Sequence, residues 1–255
     1  MTETTTDEKT IISSDADLSS EKIVERNTIV YETRIESNVI ETIGEKIKTQ
    51  LFAKLAFMKP NAEQVRLVSI DKYYEPYLVV GGRYVIDYYR KSTYTFKVDN
   101  KVQEVILTNQ KYMPNQSTDP SLRDYNVIRG QGEERLTIEN KTSLILDRFG
   151  QEVNLGDLPS APSEERPEEI LTAFGVKEIP PDLDLKIIRS RILKRPKDIN
   201  RLVIELFEVN ERAAIYTPRF RVMYTNVRTG ESKAVDFDAI TGQRVQRPRP
   251  LAPFF

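Results

Sequence analysis

The pattern of hydrophobic and polar positions predicts a group of strands in the last third of the chain. Between residues 219 and 225 apolar and polar side chains alternate, which is the period of two of a half-buried strand. The run 233–238 alternates in the same way, and the turn dipeptides Thr229-Gly230 and Thr241-Gly242 bound it. The stretch 201–246 therefore predicts three or four antiparallel strands.

Helical periodicity predicts a long helix from Ser37, a suitable N-cap, to about residue 57. Its apolar stripe recurs every three or four residues: Ile40, Ile43, Ile47, Leu51, Leu55 and Met58. The stripe covers fewer than three heptads, so packing on a sheet is favoured over a dimerising seam. A short helix is predicted at 168–174, ending at Gly175, and a further helical face consists of Leu185, Ile188 and Ile192.

Short sequence matches recur in the same order in both halves of the chain, at offsets of 135 to 137 residues. Arg66-Leu67-Val68 recurs as Arg201-Leu202-Val203, Arg83-Tyr84-x-Ile86-x-Tyr88 as Arg219-Phe220-x-Val222-x-Tyr224, and Val98-Asp99 as Val235-Asp236. Because order and spacing are both kept, we interpret the matches as two copies of one helix-then-sheet module.

The predicted architecture is α+β, with two duplicated helix-plus-antiparallel-sheet modules. Two hairpins are predicted within it, at Gly81-Gly82 and at Asn140-Lys141. The predicted order is a disordered acidic tail over 1–20, a first module over 27–114, a connecting loop and hairpin over 115–152, a Pro-rich acidic linker over 153–169, a second module over 170–245 and a docking tail over 246–255.

The composition narrows the possible chemistry. The chain has 255 residues, a formal net charge of −1, and no Cys, His or Trp. The commonest general base and the thiol nucleophile are therefore both missing, as are the usual ligands of zinc and of iron–sulfur clusters. We expect a protein that is not an enzyme and that has no catalytic residue, cofactor or metal site.

A carboxylate-based hydrolase is the remaining enzymatic hypothesis. It would depend on four aspartates: Asp87, Asp99, Asp236 and Asp238. Strand alternation places the last two on one face, but carboxylates near turns are usually only solvated.

No run of the chain reaches the roughly 18 apolar residues that a membrane span requires. The first residues also lack the succession of basic, apolar and small residues that forms a signal peptide. We therefore expect a cytoplasmic protein without a membrane partner.

Aromatic and basic residues interleave in the predicted first sheet, and basic residues cluster on the predicted second helix. Such surfaces can stack bases and pair with phosphates. The candidate nucleic-acid-binding residues are Tyr74, Tyr77, Tyr88, Arg90 and Lys91 in the sheet, and Arg189, Arg191, Lys194 and Arg195 at the helix. Ordinary half-buried tyrosines and a solvated helix face explain the same pattern.

The stretch 234–245, AVDFDAITGQRV, resembles the signature hairpin of PepSY-type modules, in which a strand leads into Asp-Ala-x-Thr-Gly-x-Val. The matching positions are Asp238, Ala239, Thr241, Gly242 and Val245. The likeness covers about sixty residues of the second module and implies a helix-plus-sheet fold. Such modules are mainly extracytoplasmic binding or inhibitory domains beside peptidases. The chain as a whole also resembles archaeal proteins.

The final residues, 246–255, are rich in proline and end in two aromatic residues. Leu251, Phe254 and Phe255 are similar to the hydrophobic half of the peptide that binds sliding clamps, although Pro248 stands at the glutamine position. Arg247 and Arg249 would meet an acidic rim. A tail that binds an ATPase or its adaptor, and a tail folded back on its own domain, are the alternatives.

These observations lead to one principal hypothesis and one alternative. The principal hypothesis is a non-enzymatic binding or adaptor protein that acts through its C-terminal tail and its sheet surfaces. The alternative is a protein that binds RNA, DNA or a ribonucleoprotein through the tyrosine-rich sheet and the basic helix.

Overall fold

The computed structural model describes residues 18–53, 60–117, 120–122, 124–176 and 179–245. The fold is α+β, as predicted. The helices are α1 (Ser37–Leu51), α2 (Pro167–Ala173) and α3 (Leu183–Ile192). The strands are β1 (Ser19–Ile23), β2 (Asn27–Val30), β3 (Val65–Asp99), β4 (Val105–Leu107), β5 (Gln110–Tyr112), β6 (Asn115–Gln116), β7 (Tyr125–Asp147), β8 (Arg201–Asn226) and β9 (Ser232–Asp238).

One mixed sheet contains seven of the strands, and β4 and β5 form a separate antiparallel pair. The main order is β1-β8-β3-β7-β6, and both β2 and β9 also pair with β8. The β2–β8 pair is parallel, whereas β6–β7 and β8–β9 are antiparallel. Among the described helices, none is long and apolar enough to cross a membrane.

Both hairpins predicted inside the long strands are wrong. β3 continues through Gly81-Gly82, and β7 continues through Asn140-Lys141. A Cβ built on Gly81 would lie 2.9 Å from the Glu211 Oε2 atom, so this glycine permits close packing within a strand rather than a turn. The turns at Thr229-Gly230 and Thr241-Gly242 are confirmed, since both glycines have positive φ angles, 73° and 74°.

The chain divides into two compact units, each built from three segments. Unit 1 contains the described residues of 1–22, 83–141 and 192–208, and unit 2 contains those of 23–82, 142–191 and 209–255. The predicted modules 27–114 and 170–245 therefore each contribute to both units, and the segment 153–169 belongs to unit 2 rather than lying between units. Strand β1 begins at Ser19, inside the predicted tail. The internal duplication stays a prediction.

The core of unit 2 lies between α1 and the strands β8 and β9. Ile40 is fully buried against alternate residues of the two strands, and Ile43, Ile47 and Leu51 pack on the same cluster. The strand residues are Phe220, Val222, Tyr224, Val235 and Phe237. The predicted packing of the α1 stripe on a sheet is confirmed for Ile40, Ile43, Ile47 and Leu51, whereas Leu55 and Met58 lie outside the described residues.

The ends of α1 differ from the prediction. Its N-cap is Glu36 rather than Ser37, and the Glu36 side chain makes no capping hydrogen bond. The helix ends at Leu51, where the Lys233 ammonium donates to the Leu51 carbonyl over 2.9 Å. This cation lies where the helix dipole is negative, so it stabilises that end.

Gly44 of α1 lies directly over the Tyr224 ring. A Cβ built at this position would fall on the Tyr224 hydroxyl, so the close approach of helix and sheet requires glycine here. The Tyr224 hydroxyl is buried and has no hydrogen-bond partner in the described part of the chain. Burial, with Glu45 and Glu41 nearby, raises the pKa of Tyr224 to about 12.

A buried ion pair holds α3 of unit 2. Asp184 is 0 % exposed, and the Arg212 guanidinium donates to its two carboxylate oxygens at 2.6 and 3.0 Å. Arg212 also donates to the Pro181 carbonyl. The predicted apolar face is confirmed at Ile188, which is fully buried. The predicted short helix is also confirmed, since α2 ends just before Gly175, whose φ is 56°.

In unit 1, rows of opposite charges cross the surface of the sheet. The Arg83 guanidinium lies 2.6 Å from Glu208 and 3.8 Å from Glu139. The Asp87 carboxylate accepts from Arg135 at 2.6 Å, and this contact lowers the pKa of Asp87. These pairs connect neighbouring strands through alternating charges.

We predict that replacing Arg212 with Met will lower the free energy of unfolding by about 3–5 kcal/mol, because the Asp184 charge is then buried without a partner. Urea denaturation at neutral pH measures the change. Arg191→Met is the matched control. Arg191 lies 3.0 Å from Glu152 with both side chains about half exposed, so its loss should cost less than about 1 kcal/mol. Equal losses in the two variants would contradict the buried pair.

We predict that Tyr224→Phe will be neutral or stabilising by about 1 kcal/mol, because it removes a buried hydroxyl that has no partner. Above pH 10 the unfolded chain releases the tyrosine proton, whereas the folded chain keeps it until about pH 12. Stability of the native protein should therefore fall as pH rises through this window, and the Phe variant should lose less. Urea midpoints between pH 7 and 11 measure the difference.

Gly44→Ala supplies the companion test of this contact. Alanine has the higher helix propensity, by about 1 kcal/mol, yet we expect the substitution to destabilise because its methyl group meets Tyr224. The cost should be smaller in the Tyr224→Phe background. A stabilising Gly44→Ala would show that the helix does not approach the ring this closely.

Candidate ligand-binding face

The hairpin of β8 and β9 has one apolar and one polar face. Arg219 lies opposite Asp238, Arg221 opposite Asp236, and Met223 opposite Ala234. Because side chains alternate along a strand, these six residues share the face that points away from α1. We call this surface the polar face of unit 2.

Arg221 and Asp236 form the central pair of the polar face. The Arg221 Nε donates to the Asp236 Oδ1 over 2.9 Å, and the carboxylate is almost completely buried. The hydrogen bond to Asp236 raises the pKa of Arg221. The Tyr73 ring of β3 lies under the guanidinium, with its centroid 5.0 Å away. The pair is therefore held from two strands and by an aromatic contact.

Arg219 is the most deeply buried cation of the polar face, at 8 % exposure. Its guanidinium donates to the Tyr77 hydroxyl and lies 3.9 Å from Glu75. Burial by itself lowers the pKa of Arg219, but Tyr77 and Glu75 outweigh this effect and the pKa is raised. Its Nε atom is buried and has no hydrogen-bond partner in the described ranges. Arg219 therefore stays charged inside the protein.

Asp238 organises the turn that follows β9. Its Oδ1 atom accepts hydrogen bonds from the Ile240 amide at 2.9 Å, the Thr241 amide at 2.8 Å and the Thr241 hydroxyl at 3.2 Å. The positive φ of Gly242 completes the turn. This geometry explains why Asp, Thr and Gly stand at these spacings in the PepSY-like motif. The resemblance itself stays a prediction.

A groove of about 490 Å³ opens beside the Arg221–Asp236 pair. Its lining residues are Arg221, Met223, Ala234, Val235, Asp236, Arg244 and Val245. Arg244 is exposed, and its side chain has no ion pair or hydrogen bond within the described part of the chain. The groove thus combines one paired cation, one unpaired cation and short apolar walls, which suits a ligand that carries an anionic group.

Three of the predicted nucleic-acid-binding residues are buried tyrosines. Tyr74 is 5 % exposed, Tyr77 is 7 % exposed and Tyr88 is 2 % exposed. Their rings pack inside the structure, so the prediction that they offer a stacking surface is wrong. Tyr74 packs edge-on against Phe174, which is itself partly exposed, with ring centroids 5.1 Å apart.

Most of the predicted basic residues are already paired. Arg90 contacts Glu134 at 2.8 Å and Asp198 at 3.4 Å. Arg191 forms an ion pair with Glu152, and Arg195 forms one with Glu205. Arg189 is half-buried on α3 and is not without a partner. Lys91 and Lys194 are exposed. The structure therefore does not bring the nine predicted residues together on one accessible surface.

The four aspartates of the hydrolase hypothesis have structural contacts. Asp87 is held by Arg135, Asp236 by Arg221, and Asp238 by the turn that it caps. The Asp99 carboxylate accepts from the Lys101 amide over 2.8 Å. In the described ranges no three acidic side chains lie close enough to hold a metal ion.

The predicted tail site lies outside the described residues. This applies to Leu251, Phe254, Phe255, Arg247 and Arg249. Of the groove residues, the sequence analysis named Asp236 for the hydrolase hypothesis and Val245 for the PepSY-type resemblance, and it did not predict a ligand site for Arg221 or Arg244. Arginines at 219 and 221 alternate with apolar residues exactly as the aspartates at 236 and 238 do, which indicates cross-strand pairs on one face.

Comparison of the chain with protein-family models, with curated proteins and with solved structures gave no match.

We predict that Asp238→Ala will lower the free energy of unfolding by about 2–3 kcal/mol, because three hydrogen bonds to one carboxylate oxygen are lost. Asp238→Asn is the matched control. It keeps an acceptor oxygen and should cost less than about 1 kcal/mol. Chemical denaturation measures both. If the Asn variant is as unstable as the Ala variant, the charge opposite Arg219 is the important property rather than the turn.

Proposed function

We propose that this chain is a non-enzymatic binding protein that takes up an extended, acidic peptide segment at the groove of unit 2. The observation that carries the proposal is the backbone edge of β9 at Ser232 and Ala234, which no described residue pairs with, beside the Arg221 and Arg244 guanidinium groups. An extended peptide that adds to a sheet edge gains affinity from backbone hydrogen bonds and specificity from alternate side chains.

Hydrogen-bond alternation identifies which residues of β9 have a free edge. The Asn226 amide donates to the Glu231 carbonyl, and the Ala239 amide donates to the Pro218 carbonyl. Together with the register of the β8–β9 pair, these bonds show that odd-numbered residues of β9 direct their backbone N–H and C=O groups towards β8. Ser232 and Ala234 therefore direct their backbone groups away from β8. Among the described residues, nothing pairs with them there.

The segment 243–245 covers only the far end of the same edge. The Val245 amide donates to the Asp236 carbonyl, and the Asp238 amide donates to the Gln243 carbonyl. The free part of the edge thus begins where the groove opens. A peptide of three or four residues would extend the sheet at this point.

The charges of the groove favour an acidic peptide. Arg244 has no partner in the described ranges, and Arg221 uses its Nε for Asp236 while its side chain remains partly exposed. A carboxylate brought to this edge would gain charge-assisted hydrogen bonds. Met223 and Val245 supply apolar contacts between the two guanidinium groups and the backbone edge. The best ligand would alternate acidic and apolar residues.

The same contacts support a binding role rather than catalysis. The carboxylates near the groove are committed to Arg221 and to the turn, so neither is poised as a general base. The nucleic-acid alternative has less support, since its tyrosines are buried and most of its cations are paired. An additional contribution of the C-terminal tail stays a prediction.

We predict that a blocked octapeptide of alternating Glu and Val will bind the full chain, whereas the Lys-Val counterpart will not. Amide resonances of Ser232 and Ala234 should shift on titration, and Arg244→Ala should weaken binding about tenfold through loss of one charge-assisted contact. Two-dimensional NMR of the isotope-labelled chain measures both effects.

Arg228→Ala is the matched control for this experiment. Arg228 is exposed in the β8–β9 turn and does not line the groove, so its loss changes net charge equally without removing the contact. Equal weakening by the two variants would indicate non-specific attraction and would overturn the site. Shifts confined to Lys91 and Lys194 on addition of single-stranded RNA, with no response to the peptide, would instead favour the nucleic-acid alternative.

A further inference from the structure

The outer edge of β7 is a second unpaired edge, independent of the groove. β7 lies between β3 and β6, and β6 covers only Asn126 and Val127. Near the other end of the strand, the Val153 amide donates to the Ile145 carbonyl. Residues 128–144 have no strand partner on this side within the described part of the chain. A long edge of this kind is a template for pairing with another chain.

The direction of the free backbone groups follows from the bonds at the end of β7. The Ile145 carbonyl accepts from the Val153 amide, and the Asp147 amide donates to the Gln151 carbonyl. Odd-numbered residues of β7 therefore direct their backbone N–H and C=O groups away from β3. Exposure alternates without interruption between residues 129 and 143, with the odd positions exposed. The strand therefore contains no bulge there, and the outward groups include those of Thr137.

We propose that this edge pairs with the same edge of a second copy of the chain, antiparallel and two-fold symmetric about Thr137. Residue numbers in facing positions then sum to 274. Arg135 faces Glu139 of the second copy, and Glu133 faces Lys141 of the second copy. Each pair occurs twice because of the two-fold symmetry, and each joins opposite charges. The edge is therefore complementary to itself, as an interface between two identical surfaces requires.

Charges of this edge already have partners in one copy, since Lys141 lies 2.9 Å from Glu139 and Arg201 lies 3.6 Å from Glu133, and the pairs with the second copy would extend these contacts. In one copy, Glu208 contacts Arg83 at 2.6 Å, and Arg83 lies 3.8 Å from Glu139. In the dimer Glu139 would next meet Arg135 of the second copy, which already holds its own Asp87. The result is one row of alternating charges across both sheets. Charged residues on an edge usually prevent pairing, but here their order favours one partner.

The opposite face of the strand fits the same register. Leu136 and Ile138 are half-buried, and each would lie opposite the other across the symmetry axis. Even-numbered residues form the non-hydrogen-bonded pairs, in which side chains approach most closely. The pairing therefore combines two apolar contacts on one face with four charge pairs on the other.

Neighbouring registers are disfavoured by the same charges. Symmetry about Leu136 would place Glu133 against Glu139 of the second copy. Symmetry about Ile138 would place Arg135 against Lys141 of the second copy. Like charges directly opposite each other destabilise a strand pair, so Thr137 is the centre that the sequence of β7 selects.

Sedimentation velocity of the full chain tests the proposal over about 10 µM to 1 mM, which spans the dissociation constants of a weakly associating dimer. The mass should rise from 29.5 kDa towards twice that value as concentration increases. Lys141→Glu should weaken the dimer about tenfold, because it creates two repulsive pairs with Glu133. The double variant Glu133→Lys with Lys141→Glu restores opposite charges and should recover dimerisation.

Two further variants separate pairing from folding. Thr137→Pro removes an outward N–H group that β3 does not use, so it should abolish the dimer while urea denaturation shows a folded monomer. Thr137→Ala keeps the N–H group and should still dimerise. A monomer at every concentration of the native chain, or a double charge variant that fails to recover, would overturn the proposal.

Discussion

Unit 2 depends on the period-two alternation of β8. Even-numbered residues from Phe220 to Tyr224 bury their side chains against α1, and the odd-numbered Arg219 and Arg221 are directed to the opposite face. The helix covers only one side of the strand pair, so the other side must satisfy its polar groups differently. The polar face and its groove therefore lie on the side of the β8–β9 hairpin that α1 does not cover.

Ion pairs between arginine and a carboxylate recur in both units. In unit 2 the partly exposed Arg221 holds the buried Asp236, and Arg212 and Asp184 form a buried pair, while Arg135 with Asp87 crosses the sheet of unit 1. Arginine suits this role because its planar guanidinium satisfies both carboxylate oxygens while remaining charged. Arg244, which lines the groove, has no ion pair or side-chain hydrogen bond in the described ranges.

Both proposals concern backbone edges rather than closed pockets. An edge offers N–H and C=O groups that already have the correct spacing for another strand, and neighbouring charges decide which strand fits. In the two proposals, the Arg221 and Arg244 charges beside β9 favour an acidic segment, whereas the alternating charges along β7 favour a second copy. A chain without His or Cys can recognise partners in this way without any catalytic group.

Local periodicity by itself determined several elements of this protein: the α1 stripe, the strand β9 with its two glycine turns, and the apolar face of α3. It did not reveal that β3 and β7 pass straight through Gly81 and Asn140, because a glycine or asparagine inside a strand looks the same in sequence as one in a turn. Tertiary structure alone decided that α1 packs on β8 and β9, that Tyr74, Tyr77 and Tyr88 are buried, and that parts of the β7 and β9 edges have no partner among the described residues. Periodicity records which face of an element is apolar, whereas its partner depends on contacts between residues far apart in the chain.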